Sequence, residues 1–443
     1  MDIINIKKEN EKLNNKLNNI LERKIEFSEE IEKVVKEIIE KVKSKKDEAI
    51  IEFTKKYDGL DVNINDLIIT KDILEDLYNK VSKEILDILK EAKDNIKNYH
   101  RYQLEFTWIE EFPNNVKLGQ KITPIDSVGV YIPGGKAFYP SSVLMNVVPA
   151  KIAGVKRIVA VTPPKNFFDN PIIGATLYLA GVDEVYLIGG AQAIAALAFG
   201  TETIRKVDKI VGPGNIYVAM AKREVFGYVD IDMIAGPSEI VVLADDSANA
   251  QWVALDLLSQ AEHGSGMESA ILVTTSERLA KEVQNIIEKE LDGFKYENEI
   301  KEVLERYGAI IITRDIDEAV DIINKIAPEH LEVVVNKDLI EEVVFNKIKN
   351  AGAIFVGEYS SEPVGDYWAG PNHVLPTSST ARFFSPLGVY DFIKRSSLIF
   401  YSKEAIIKNA LKIKKFAEIE NLYFHGKAVY QRYLDINDTY KST

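Results

Sequence analysis

Apolar positions change their period along the chain, and the changes mark out segments. From the amino terminus to about residue 110, Ile, Leu and Val recur among Lys and Glu at helical spacing, as in Ile31, Val34, Val35, Ile38, Ile39 and Val42. This predicts a helical lead-in whose charge runs are solvated helix faces. Near Asp126 short β-rich runs begin to alternate with small-residue helices: RIVAVT, IIGATLYLAG, EVYLIGG, AQAIAALAFG, DKIVGPG and IYVAMAKREVFG. Such alternation predicts βαβ units and a parallel sheet. A second series follows AGPSE: EIVVLAD, a helix through Gln251 to Ala261, SAILVTT, a helix from Glu277, AIIIT, a helix from Asp315, LEVVV and AIFVG. Two sheets joined near residue 238 would leave a cleft, and α/β proteins usually bind ligands beside strand carboxyl ends. Beyond GDYWAGPNHVLPT the segment KEAIIKNALKIKKFAEIENL carries a clear helical period. So small a tail buries little by itself and is expected to dock on the body or on another subunit.

Composition narrows the chemistry. A chain of 443 residues exceeds one ordinary core, so two or more domains are expected. A net charge of -13 disfavours nucleic acid as a partner, because a phosphate-binding surface needs a basic stripe. Cysteine is absent, which excludes disulfides, thiolate metal sites and a cysteine nucleophile. Any metal must use nitrogen and oxygen ligands. The segment MDIINIKKENEKLNNKLNN lacks the apolar core of a signal peptide, and later apolar runs are cut by charge before spanning length. A cytoplasmic protein with no membrane partner is expected.

Four of the five histidines stand beside acids, amides or prolines: SQAEHGSG, APEHLE, GDYWAGPNH and ENLYFHGK. The fifth, His100 in KNYHRY, reads as a surface helix residue. Gln260 and His263 are three apart at a helix end, so both can project from one face as metal ligands. The same spacing suits a histidine that merely meets the helix dipole. Asp366 lies in a loop rich in Gly and Pro, where a carboxylate is presented without helix or strand, and by itself it also fits an ordinary turn. His425 follows Glu420 by five residues and could equally be a surface ion-pair partner. Taken with Gln260, His263 and Asp366 it completes a nitrogen and oxygen set that suits zinc. Glu329 and His330 follow Pro328 at a helix-to-strand junction, where an imidazole can take a proton and a desolvated carboxylate can activate water. A capped strand entry explains them as well. The loops LIGGAQ and IVGPGN stand between strand and helix, where backbone amides favour phosphate, though neither is a GxGxxG.

Taken together, GVYIPGG with YPSSVLM, GGAQAIAALAFGTE, KIVGPGN, AGPSE, LLSQAEHG, APEHLE, GDYWAGPNHVLPT and ENLYFHGKAV resemble the histidinol dehydrogenase family, in its order, from about Tyr131 to His425. The resemblance implies an α/β fold of two incomplete Rossmann-like parallel-sheet domains. It places an amino-terminal helical arm at 1–25, a first α/β domain at 26–126 and 239–381, and an NAD-binding second domain at 127–238. A small helical tail at 382–443 would be exchanged between the subunits of a homodimer with shared active sites. The implied zinc ligands are Gln260, His263, Asp366 and His425, and the catalytic pair is Glu329 and His330. Ser238 and Glu420 would join Gln260, His263, His330, Asp366 and His425 around the substrate, while Tyr131, Gln192 and Asn215 would contact NAD. His373 is a pocket residue without an assigned role. One departure stands out: the family's tail reads EGL then AHA, here Glu420-Asn421-Leu422 and Phe424-His425-Gly426, so Glu and His keep their spacing while their neighbours change.

The reaction so implied is the last step of histidine biosynthesis, L-histidinol to L-histidine through bound L-histidinaldehyde, with two NAD reduced in turn. His330 would relay protons and Glu329 would activate the water that adds to the aldehyde. Lacking cysteine, the chain cannot form the thiol adduct of ordinary aldehyde dehydrogenases. Two other readings compete: a relative acting on another small alcohol such as a sulfonated diol, and a zinc hydrolase, which would have no use for the glycine loops.

Overall fold

The computed structural model describes residues 1–6, 9–23, 28–134, 138–165 and 167–441; Gly135 of the motif GVYIPGG therefore lies outside the described residues. Two compact units emerge, residues 1–103 with 125–392 and residues 104–124 with 393–443.

The first unit holds two six-stranded sheets. One runs, in spatial order, Ile68–Ile69, Glu184–Tyr186, Arg157–Val161, Ser127–Tyr131, Lys209–Val211 and Asp230–Ile231, parallel except for its first strand. The other runs Asp2–Asn5, Ala309–Ile312, Ser269–Thr274, Glu239–Ala244, His330–Val334 and Ala353–Val356, parallel throughout. With the outer strand set aside, both follow the order 3-2-1-4-5 of a doubly wound fold that stops short of its sixth strand. The expected pair of incomplete Rossmann-like sheets is present.

Strands covered on both faces read as continuous apolar runs, and Glu239–Ala244 shows how the two faces are filled. Ile240, Val242 and Ala244 pack into one core layer, Val241 and Leu243 into the opposite one. Burying each such side chain favours folding by roughly 1.5–3 kcal/mol, which fixes the register, since a slip of one residue would exchange the faces.

Packing groups the chain differently from the expected domain boundaries. Val35, Ile38, Ile39 and Val42 of the helix Glu29–Lys45 share a core with Val128 and Val130, and Ile68–Ile69 pairs with Glu184–Tyr186. The helices between residues 29 and 100 thus cover the 127–231 sheet, not the 239–356 sheet. The arm's first residues form the strand Asp2–Asn5, which extends the other sheet beside Ala309–Ile312. Its few alternating residues are too short a run to distinguish from the helical lead-in. His100 corrects a second expectation: it is fully buried, its Nδ1 2.8 Å from Gln103 Oε1. Leu86, Leu89, Ile96 and His100 lie on the buried face of the helix Lys83–His100, and the helical period carries the histidine inward.

The second unit is not purely helical. Trp108–Phe112, Val116–Pro124 and Ile393–Phe400 form an antiparallel sheet with Val116–Pro124 central. A helical hairpin follows, Lys403–Ile419 and Tyr423–Lys441, turning at Asn421 with a φ of 58°. Inside Lys403–Ile419 only Ala405, Ala410 and Ala417 are buried. Phe416, Ile419, Tyr423 and Phe424 stay exposed.

Candidate active site

Glu329 and His330 are held by the backbone of one residue. The helix Ile316–Ile326 ends on Ala327 in the left-handed region, Pro328 stops it, and His330 opens the next strand. Alongside, Glu239 opens its own strand. The Glu239 amide donates to Glu329 Oε2 at 3.0 Å, and the Glu239 carbonyl lies 3.1 Å from His330 Nδ1. A carbonyl can only accept, so Nδ1 carries the proton and Nε2 keeps its lone pair. His330 Nε2 is buried without a hydrogen-bond partner, and Asp366 Oδ1 lies 3.9 Å away. Burial pushes the imidazole down to about 3, so it is neutral at pH 7. Glu329 moves the other way: burial, and then the charge of Glu239, raise it well above the usual carboxylate range. A neutral imidazole and a strengthened carboxylate base stand side by side.

Gln260 and His263 extend from the end of the helix Ala250–Ala261. His263 Nδ1 contacts the Ser259 carbonyl at 3.2 Å and Gln260 Nε2 at 3.4 Å. These contacts ask for opposite tautomers. The shorter one, to an oxygen that can only accept, prevails and leaves Nε2 as the free donor atom. Gln260 Oε1 is buried without a partner. Asp366 sits on a wide helical turn, Gly365–Ala369, and not on a free loop as its sequence suggests. Gly365 is required there, because a Cβ would come within 2.6 Å of the Phe355 ring. Ligand atoms of His263, Glu362 and Asp366 lie within 4.8 Å of one another. Burial, and then the Glu362 charge, push Asp366 up to about 8. An orphaned amide oxygen, an imidazole nitrogen and carboxylates crowded at the cost of their own ionisation fit a divalent cation, and zinc accepts all three donor types.

Glu362 is absent from the sequence-derived set, although its place four residues before Asp366 puts the two on one helical face. Its carboxylate accepts from Ser259 Oγ at 2.9 Å, and its amide donates to Glu332 Oε1 at 2.7 Å. Glu332 lies within the otherwise apolar strand His330–Val334, raised by burial and by neighbouring Asp256. An acid inside a mostly buried strand was the available signal. His373 is also neutral, pushed down to about 4 by burial. Ser238 immediately precedes Glu239, and its carbonyl accepts from the Ser269 amide at 3.1 Å. Gln260, His263, Glu329, His330 and Asp366 therefore belong to the first unit. Glu420 and His425 belong to the second, exposed on its helical hairpin.

Tyr131, Gln192 and Asn215 line a single cavity of about 680 Å³, together with Gly189, Gly190 and Pro163. It opens where strands end: Tyr131 is the last residue of its strand, and Gly190 begins the helix Gly190–Phe199. The Gly190 amide donates to the Tyr131 hydroxyl at 3.1 Å. The Asn215 side-chain oxygen Oδ1 caps the helix Ile216–Val225, accepting from the Tyr217 and Val218 amides, each at 3.1 Å. Gly212, at a φ of 107°, must be glycine, since a Cβ would lie 2.2 Å from the Tyr131 carbonyl. The helix amino ends beside this cavity suit a nucleotide's phosphates. A larger cavity of about 1090 Å³, lined by Phe226, Met233 and Phe383, contains none of the sequence-derived residues.

Comparison with known proteins identifies the family. The family model of histidinol dehydrogenase matches residues 21–433. A histidinol dehydrogenase of Listeria monocytogenes is 52% identical over 397 residues, covering 90% of this chain and 92% of that one. One of Clostridium acetobutylicum is 49% identical over 393 residues, covering 88% and 90%. The crystal structure of histidinol dehydrogenase from Elizabethkingia anophelis superposes with a TM-score of 0.89 at 37% identity, covering 96% of each chain. Betaine aldehyde dehydrogenase of Staphylococcus aureus, at 11% identity and a TM-score of 0.50 over 83% of each chain, shares the fold alone. No helix among the described residues is long and apolar enough to cross a membrane. With two sheets of doubly wound order, a buried Glu-His pair beside a donor cluster and relatives matched over nearly their full length, this chain belongs to the histidinol dehydrogenase family.

Proposed function

We propose that the protein oxidises L-histidinol to L-histidine in two successive two-electron steps, completing histidine biosynthesis. One observation carries the reading: the unpartnered Nε2 of His330 lies beside Asp366, in a buried site that also holds the orphaned Gln260 oxygen.

His330 Nε2 takes the hydroxyl proton of the alcohol. Its other nitrogen stays bound to the Glu239 carbonyl, so the ring neither turns nor changes tautomer while it works. Glu329, buried and raised, removes a proton from the water that adds to the aldehyde. As the water adds, His330 Nε2 gives its proton to the aldehyde oxygen, so it is free to take the hydroxyl proton of the hydrate in the second oxidation, which yields the carboxylate. NAD, when bound by Tyr131, Gln192 and Asn215, accepts the hydride of each step. Gln260, His263, Asp366 and a His425 would hold zinc, which would supply a Lewis-acidic centre that helps to bind and orient the substrate. Ser238 and Glu420 line the substrate, and the Glu420 carboxylate favours an amine over a sulfonate.

We further propose that His425 and Glu420 serve the site of a second copy in a homodimer. The exposed Phe416, Ile419, Tyr423 and Phe424 around them form an apolar face suited to a protein neighbour. Mixing His425→Asn with a Glu329→Gln, His330→Asn double variant should restore activity that neither has alone. Failure despite verified subunit exchange would argue that each tail serves its own chain. The reaction itself is tested by counting NADH and histidine formed per histidinol consumed. About two NADH per histidine, without free aldehyde, is expected; one NADH with released aldehyde would overturn the four-electron reading.

A further inference from the structure

Glu239 is used twice, and neither use involves its side chain. Its amide holds Glu329 and its carbonyl holds His330, so any shift of this one residue's main chain moves both catalytic groups at once. Glu239 is the first residue of its strand, where a sheet frays most readily. Its carboxylate is almost wholly buried, facing the backbone amides of Glu329, Ser378 and Ser379, and without a cation its charge would still draw the strand end toward water.

Arg23, from the amino-terminal arm, prevents this. Its NH2 pairs with Glu239 Oε2, both side chains being nearly inaccessible. Its NH1 donates to the Met267 carbonyl at 2.9 Å, two residues before the neighbouring strand Ser269–Thr274. The guanidinium also lies 5.7 Å from the centre of the Tyr307 ring. A planar, always charged group held by a carboxylate, a carbonyl and an aromatic ring is a fixed peg between two strand ends. We infer that Arg23 is a positioning residue for the Glu329–His330 pair, acting through the main chain of Glu239. The inference rests on the proposed dehydrogenase reading for its kinetic consequence but not for its geometry. The arm is thereby a part of the catalytic apparatus and not only an edge strand. No catalytic contact of Arg23 itself is implied.

The test compares the full-length parent with Arg23→Met and Arg23→Lys, each measured as kcat per folded molecule. Arg23→Met should lower kcat on the order of 10²-fold, with KM for histidinol and for NAD held within about threefold, because misplaced reacting groups lose rate and not ground-state binding. Arg23→Lys, which keeps the ion pair but cannot also hold Met267, should recover about tenfold of that loss. Should Arg23→Met fail to fold, Glu239→Gln, nearly isosteric, is read in the same way. Independently of any substrate, nitrogen NMR of labelled histidine should show His330 as the Nδ1-protonated tautomer in the parent and as a mixture in Arg23→Met. A lower melting temperature with unchanged kcat and an unchanged His330 signal would make Arg23 merely structural and overturn the inference. A parent that forms no NADH from histidinol would sink the functional reading instead, and the NMR comparison would still decide the positioning role.

Discussion

In the sheet around Ser127–Tyr131 the candidate functional residues follow strands, whereas in the sheet around Glu239–Ala244 they precede them. Tyr131 is the last residue of its strand, and Gly190, Gly212 and Asn215 lie just beyond strand carboxyl ends. Glu239 and His330 are first residues of theirs, and Gln260 ends a helix returning to the amino edge. The strand order is the same in both sheets, so topology alone does not choose the edge. Electrostatics supplies the difference. At the carboxyl edge of a doubly wound sheet, helix amino ends present free amides and partial positive charge, which suits an anionic nucleotide. At the amino edge, helix carboxyl ends present carbonyls and partial negative charge, and here Asp366, Glu362 and Glu329 add carboxylates. That edge suits a metal cation and a cationic substrate. On the proposed function, one strand order used from its two edges would separate nucleotide binding from proton chemistry.

The sharpest way to break this division is to remove the base. His330→Ala should lower kcat by about 10²–10⁴-fold, the usual range for a general base, in steady-state NADH assays. A loss below about tenfold would make the imidazole dispensable. Glu329→Gln should slow the second, water-requiring oxidation more than the first in single-turnover assays, and equal slowing would deny it a separate role. Next in size, Asp366→Asn should strip zinc from the amino edge, seen as metal content after dialysis, while the melting temperature changes little because a buried acid is lost. On the carboxyl edge, Gly212→Ala forces a Cβ against the Tyr131 carbonyl and should destabilise the unit by about 1–3 kcal/mol in urea titration. Smallest is a pH effect on the same sheet. The hydrogen bond from Arg157, joined by Arg205, holds Glu184 down at about 2. A folded value below the unfolded one adds stability above the usual carboxylate range, and this is lost as pH falls toward 2. Glu184→Gln should thus cost less than about 1 kcal/mol at pH 7, given its partial exposure, and progressively less as pH falls through about 2.

How much of this the sequence revealed depended on whether the needed contact was local. Strand and helix alternation exposed both sheets, since burial on two faces writes continuous apolar runs such as EIVVLA. Gln260 with His263, and Glu329 with His330, are near neighbours in the chain, so their partnership could be read directly. Asp366 and His425 read as ligand candidates only in company with Gln260 and His263, and their roles came from the resemblance, because nothing local ties either to position 260. Glu362 and Glu332 were missed for lack of a histidine beside them, although one shares a helical face with Asp366 and the other interrupts a buried strand. The pairing of Arg23 with Glu239 spans more than two hundred residues and leaves no periodic trace. The domain boundaries failed for a related reason: which sheet the lead-in helices cover is decided by tertiary packing, to which the helical period is blind.

The division between edges is tested most directly by titrating NAD into His330→Ala and Gln192→Ala and measuring Kd for each by calorimetry. The account predicts that His330→Ala, though inactive, binds NAD like the parent, while Gln192→Ala weakens it by about tenfold, the loss of roughly one hydrogen bond to a buried partner. Weakened NAD binding in the histidine variant with unaltered binding in the glutamine variant would contradict it.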